Sequence, residues 1–238
     1  MKVSAILPAA GLGTRMGKAA DARKQLIELA GAPVLLHTIR RFDEASSIGE
    51  ILIAVRPEDR VPLEQMLSGE TIATPVGVVE GGKTRQESVE NALAAVADDV
   101  DLVAVHDAVR PLITADLINR AVEQASRDAA VILGLPAIDT VKRVDQKTVH
   151  ATLPREMIML AQTPQVFRTE LLRRAYKQAE EDGFTGTDEA SLVEHLGEDV
   201  HVMLGSPRNI KITRPEDLAL AEFYLTREAA AADDSAPQ

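Results

Sequence analysis

The sequence predicts an α/β fold, a mostly parallel sheet with helices on both faces and a projecting β-hairpin. Three observations carry this. Short, continuously apolar runs of strand length alternate with helix-period segments through residue 135, the pattern of a parallel sheet covered on both sides. Polar and glycine-containing clusters follow those runs (8–17, Gly81–Gly82, His106–Arg110), and open α/β sheets bind ligands beyond the carboxyl ends of their strands. The alternation then stops at 136–153, where PAIDTVKRV and TVHATLP flank an Asp-led turn and read as two paired strands.

In chain order, VSAIL (3–7) is a buried strand ended by Pro8. Pro33 stands at a helix start, and Leu36, Ile39 and Phe42 recur at helical spacing behind it. ILIAV (51–55) is a second strand, and Pro57 opens the next crossover. VGVVEGG (76–82) is a short strand closing on two glycines. In TRQESVENALAAV (84–96), Thr84 and Glu87 form a capping box and Val89, Leu93 and Val96 an apolar stripe. LVAV (102–105) is a strand whose end carries His106 and Asp107. ITADLINRAVEQA is a helix capped by Thr114, and AAVILGL (129–135) is the next strand. After the hairpin come helices near 169–182 and 187–196, a strand at 201–205 and a last helix at 215–228. One domain is expected over 1–228, with 136–157 as an arm and 229–238 as a flexible tail. An isolated hairpin is marginal in water, so the arm is expected to pack on a second copy of the chain.

Composition narrows the chemistry. The chain has 238 residues, a formal net charge of −11 and no cysteine. Disulfides, thiolate nucleophiles and Cys-based metal sites are excluded. The acidity argues against general nucleic-acid binding, which phosphate neutralisation drives. The first apolar run is too short for a signal peptide or a membrane span, so a cytoplasmic protein is expected. A site for anionic substrates in such a chain must gather its own cations.

The first loop, PAAGLGTRMGKAADARKQ (8–25), does so. Glycines at 11, 13 and 17 let backbone N–H groups approach an anion, and Arg15, Lys18, Arg23 and Lys24 add charge. It is not a dinucleotide fingerprint: Arg56, rather than an acid, follows the second strand. The Gly-Lys-Ser/Thr of a P-loop is absent from this loop, where Ala19 follows Gly17-Lys18. What remains is a triphosphate cradle. Asp107, just past a buried strand, suits Mg²⁺, with Mn²⁺ an alternative that also accepts oxygen ligands. Arg110 either contributes charge or buttresses the loop. His106 reads either as a ligand or, more ordinarily, as a hydrogen-bonded structural residue. Lys211 lies between Ile210 and Ile212, an apolar setting that suggests a purpose beyond solvation. Thr140, Thr163 and Thr187 read individually as turn or cap residues, with Thr187 a natural N-cap for the 187–196 helix.

Taken together, LPAAGLGTRM (7–16), RKQL (23–26), VVEGGKTRQESV (78–89), VHDAVRP (105–111), DTVKR (139–143), TPQVF (163–167), TDEAS (187–191) and NIKITRPEDLALAE (209–222) resemble the 2-C-methyl-D-erythritol 4-phosphate cytidylyltransferase family, from Val3 to about Leu225. The resemblance implies a Rossmann-like fold of the nucleotide-diphospho-sugar transferase type. It also implies CTP as a substrate, a divalent metal and a homodimer joined through the 136–157 arm. Pro8, Ala9, Ala10, Gly11 and Gly13 would line the nucleotide, and Gly82 and Ser88 would help recognise cytosine and ribose. Arg15, Lys24 and Lys211 would be catalytic and Asp107 the metal ligand. Thr140, Arg155, Thr163 and Thr187 would hold the acceptor, the first two in the neighbouring subunit's site. Two positions depart from the family's pattern: Arg23 replaces a common proline, and Val109 a second alanine. The nearest alternatives are a ribitol 5-phosphate cytidylyltransferase, a sugar-1-phosphate nucleotidylyltransferase using another base, and a non-catalytic nucleotide-binding module.

Overall fold

A computed structural model describes residues 1–11 and 26–234, with side chains to 228. Its centre is a seven-stranded sheet built from β1 (Val3–Pro8), β4 (Glu50–Val55), β5 (Val76–Glu80), β6 (Leu102–Val105), β7 (Ala130–Pro136), β10 (Met159–Arg168) and β11 (His201–Leu204), in the order β11-β7-β10-β6-β1-β4-β5. β6, β1, β4 and β5 run parallel, as do β11 and β7, while β10 is antiparallel to both its neighbours. The mostly parallel sheet is as the alternation predicts. The antiparallel strand in its middle is an element the sequence reading lacks.

Strand residues alternate between two cores, as a period of two requires. Ala5, Leu7, Ile51, Ile53, Leu102 and Ala104 face one side. There they meet α1 (Val34–Asp43) through Leu35, Ile39 and Phe42, and α4 (Ala115–Asp128) through Leu117, Ala121 and Val122. Ile6, Leu52, Ala54, Val103 and Val105 face the other side. They pack on α3 (Arg85–Ala95), α5 (Thr169–Asp182) and α6 (Glu189–His195). Fully buried side chains of this size each contribute about 1.5–3 kcal/mol. A third apolar cluster, Leu29, Val34, Leu112, Ile212 and Ala221, fastens the C-terminal segment to the start of α1 and the loop after β6, with Val109 packed against it.

The helix ends follow local chemistry. Thr114 Oγ1 accepts from Leu117 N at 3.3 Å, the expected N-cap. Thr84 likewise accepts from Glu87 N at 3.1 Å. The other half of the expected box differs: Glu87 Oε2 accepts from Lys83 N at 2.7 Å, one residue before the cap. Thr187 is not the cap of α6. Asp188 is, in a reciprocal box with Ser191, while Thr187 N donates to Ser191 Oγ. The final helix, α7 (Pro215–Asp234), extends past its expected end at 228.

The hairpin forms as predicted, from β8 (Val141–Asp145) and β9 (Thr148–Leu153), a two-stranded sheet separate from the main one. Gln146 and Lys147 turn it at positive φ. A short antiparallel pair, β2 (Glu28–Leu29) with β3 (Ala32–Pro33), precedes α1. No described helix is long and apolar enough to cross a membrane.

Candidate active site

The parallel strands β1, β4, β5 and β6 deliver their carboxyl ends to one edge of the sheet, where loops 8–11, 81–84 and 106–110 meet. Ala9 N donates to Ala54 O and Gly81 N to Val55 O, both at 2.7 Å, and His106 N to Ile6 O at 2.9 Å. These bonds carry the ladder one step past the strands and set the loops side by side. Gly81 fits only without a Cβ, which would stand 2.6 Å from Ala10 Cβ. A Cβ on Gly82 would stand 2.2 Å from Glu87 Cβ. Ser88 Oγ accepts from Gly82 N at 3.1 Å and donates to Thr84 O at 2.7 Å, so the glycine loop is stitched to the first turn of α3. Pro8, Ala9, Ala10, Gly11, Gly82 and Ser88 are thereby brought together. Gly13, Arg15 and Lys24 lie outside the described residues.

Asp107 is the electrostatic centre. Its side chain is only 9% exposed and touches three cations. Lys211 Nζ lies 2.8 Å from Oδ2, Arg85 Nε 3.2 Å from Oδ1 and Arg110 Nε 3.5 Å from Oδ2. Burial opposes ionisation, but Arg85, Lys211 and Arg110 outweigh it and hold the carboxyl far below the usual carboxylate range. Arg110 also donates to Asn209 O at 2.7 Å, so it buttresses the segment that carries Lys211. That segment is tied again by Ile212 N to Val109 O at 2.9 Å. Val109, the departure from the family pattern, thus packs under the Lys211 segment.

His106 is fully buried, which pushes its imidazole down to about 4. Nε2 lies 3.1 Å from Arg110 O, a carbonyl that can only accept, so this nitrogen carries the hydrogen. Nδ1, 3.0 Å from Thr163 Oγ1, must then accept from the Thr163 hydroxyl, which in turn accepts from Asp107 N at 3.0 Å. His106 is therefore a neutral connector with both nitrogens used, the ordinary structural reading. Thr163 pins the backbone of Asp107 from β10.

Thr140 and Arg155 also come together, lining one concavity at the base of the hairpin with Thr152, Leu153, Pro154 and Glu156. None of the residues around Asp107 lines it. Both are exposed, and Arg155 Nη1 donates to Ile138 O at 2.7 Å. Thr187 is exposed at the start of α6, beside Asp188, whose Oδ2 accepts from Gln165 Nε2 at 2.7 Å.

Two further charged residues, Arg85 and Glu189, complete the cluster. Arg85 donates through Nη1 and Nη2 to the two Glu189 oxygens at 2.8 and 2.9 Å. Nothing in the local pattern marks either residue, because Arg85 sits in a helix's first turn and Glu189 beside a cap. Among the described residues no cluster of three or more His, Cys, Asp or Glu could cage a metal. The donor set still fits Mg²⁺, which is commonly held by one or two carboxylates together with substrate phosphates.

Comparison with known proteins agrees over nearly the whole chain. The IspD family model, 2-C-methyl-D-erythritol 4-phosphate cytidylyltransferase, matches residues 3–227. A protein of that name from Solibacter usitatus is 53% identical over 97% of this chain and 98% of its own. One from Acidobacterium capsulatum is 50% identical over 96% and 99%. The crystal structure of 4-diphosphocytidyl-2C-methyl-D-erythritol synthase from Anaerococcus prevotii superposes with a TM-score of 0.83 at 31% identity, covering 94% of this chain and 98% of that one.

Proposed function

The chain belongs to the 2-C-methyl-D-erythritol 4-phosphate cytidylyltransferase family, and from that premise we propose that it transfers the cytidylyl group of CTP to 2-C-methyl-D-erythritol 4-phosphate. The products are 4-diphosphocytidyl-2-C-methyl-D-erythritol and pyrophosphate. The observation that carries the reading is Asp107, a buried ionised carboxylate ringed by Arg85, Arg110 and Lys211 beside a glycine-lined backbone cradle.

The acceptor's phosphate oxygen attacks the α-phosphorus of CTP in line, the bond to the β-phosphate bridging oxygen breaks, and pyrophosphate leaves with that electron pair. A phosphate monoester is already ionised at neutral pH, so no general base is needed, and His106, neutral and fully bonded, is not one. The protein's task is orientation and charge neutralisation. Pro8–Gly11 and Gly13 bind the nucleotide through backbone groups, while Gly82 and Ser88 hold its cytidine end. Arg15 and Lys24 neutralise the triphosphate, and Lys211, the most exposed of the three cations on Asp107, turns to the reacting phosphate. Asp107 would hold Mg²⁺ or Mn²⁺, which would offset phosphate charge. Thr163 and Thr187 contribute to the acceptor side.

Thr140 and Arg155 act in the partner's site of a homodimer. Support for this is their shared concavity on the hairpin arm, apart from the Asp107 cluster of their own chain. A cytoplasmic location is supported by substrates that are charged metabolites, which membranes retain.

The deciding experiment is pyrophosphate release with CTP and Mg²⁺, with methylerythritol phosphate and ribitol 5-phosphate tested side by side. A strong preference for the first is expected. A preference for ribitol 5-phosphate would keep the chemistry and overturn the acceptor. No release with either would overturn the reading.

A further inference from the structure

We infer that Arg85, clamped by Glu189, is the positioning residue that fixes one oxygen of Asp107 so that the other faces the ligand. Both partners are the first residues of their helices, α3 and α6. All three guanidinium nitrogens of Arg85 are committed: Nη1 and Nη2 to Glu189, and Nε to Asp107 Oδ1. A planar fork held at two points has little freedom at the third. Oδ1 is thus held by Arg85, while Oδ2 is shared by Arg110 Nε at 3.5 Å and by Lys211 Nζ at 2.8 Å, and Lys211 is the most exposed of the three cations.

Glu189 is itself located by α5 and by β10. It is 1% exposed, and Tyr176 Oη from α5 donates to its Oε1 at 3.2 Å. From β10, Gln165 holds both chain neighbours, Asp188 Oδ2 through Nε2 at 2.7 Å and Ala190 N through Oε1 at 3.0 Å. Contacts therefore run without a break from α5, α6 and β10 through Glu189 and Arg85 to Asp107.

Stability alone does not account for this arrangement. A buried ion pair is often no more stabilising than apolar residues of the same volume. What apolar residues could not supply is a rigid donor on Oδ1 whose charge is already compensated. Without Glu189, the whole positive charge of Arg85 would fall on Asp107 and weaken its hold on a cation. Groups behind a metal ligand typically change metal affinity or activity by about 10–100-fold.

The inference rests on the proposed function for Asp107 as the cation's ligand and for its activity readout. The test uses the full chain and Mn²⁺ as a spin probe, titrated by electron paramagnetic resonance with CTP present, alongside kcat, KM and Tm. Glu189→Gln is expected to weaken Mn²⁺ binding about 10-fold. Arg85→Lys keeps the charge but loses the fork, and is expected to lower kcat about 10–100-fold with KM for CTP within about 3-fold. Tyr176→Phe, a milder change, covers the case in which Glu189→Gln does not fold, and should weaken Mn²⁺ binding about 2-fold. Folded variants with wild-type Mn²⁺ affinity and kcat would overturn the inference, as would losses that merely follow the unfolded fraction. If the wild type released no pyrophosphate while the Mn²⁺ difference persisted, the proposed function would fall and the positioning role would stand.

Discussion

Burial favours the neutral form of Asp107, yet three cations outweigh it and keep the carboxyl charged. Of these, Lys211 is the most exposed, at 37% of its side chain, against 29% for Arg85 and 11% for Arg110. Lys211→Ala is expected to reduce kcat by about 100-fold, the scale of a lost transition-state donor, with CTP binding changing by less than about 10-fold. Steady-state kinetics with direct CTP binding checks it, and equal losses would mean uniform binding instead. His106 supports a second prediction. Burial pushes its imidazole from the ordinary 6.5 down to about 4. The unfolded chain therefore takes up the proton first, so the neutral residue's contribution is whole above pH 6.5 and is lost as pH falls from 6.5 towards 4. The loss is about 3 kcal/mol at about 1.4 kcal/mol per unit. Urea unfolding at pH 7 and pH 4.5 should show a smaller decline for His106→Gln than for the wild type. At this scale Asp107 and Lys211 stood out by residue type and place in the chain, whereas Thr163 read alone as a turn or cap residue and entered only through the family resemblance. Arg85 and Glu189 were not, because their meaning lies in meeting each other across 104 positions of sequence.

Among the elements, β10 is the instructive one. Pro164 and the glutamines beside it argue against a central strand, since proline lacks a ladder donor. The sheet accommodates it by shifting register between Gln162 and Gln165, so the proline falls where pairing is interrupted. That interruption is where Thr163 reaches His106 and Asp107. The glycine loop after β5 behaves as its sequence suggests. Gly82→Ala places a Cβ against Glu87 Cβ, at the root of a helical side chain that cannot swing away. The expected cost is about 1–3 kcal/mol, a Tm lower by about 2–10 °C in calorimetry, with KM for CTP raised. On the arm, Thr140→Ala and Arg155→Ala should raise KM for the acceptor and leave CTP binding near wild type. Unchanged acceptor KM would remove the arm from the site.

For the molecule as a whole, the arm exposes apolar surface that one chain does not cover. Val144 and Val149 sit opposite one another across β8 and β9 and are 53% and 57% exposed. Burying such a pair is worth about 1.5–3 kcal/mol per residue. Sedimentation at micromolar concentration should show a dimer, and the double variant Val144→Asp, Val149→Asp should shift it towards monomer with activity falling alongside. A wild-type monomer would overturn the arm's role. The net charge of −11 raises the question of how anions approach at all. The local answer is three cations against the two carboxylates Asp107 and Glu189.

The sequence by itself determined the alternation of strands and helices, the hairpin, the glycine loops at strand ends and the placement of Asp107 just past β6. Each is a local consequence of periodicity, turn chemistry or chain order. Only the tertiary structure decided which cations reach Asp107, which residue caps α6, why His106 is neutral and how a proline-containing strand enters the middle of the sheet. Those outcomes depend on distance and burial between segments far apart in the chain, where the balance of desolvation and charge is set by the assembled neighbours.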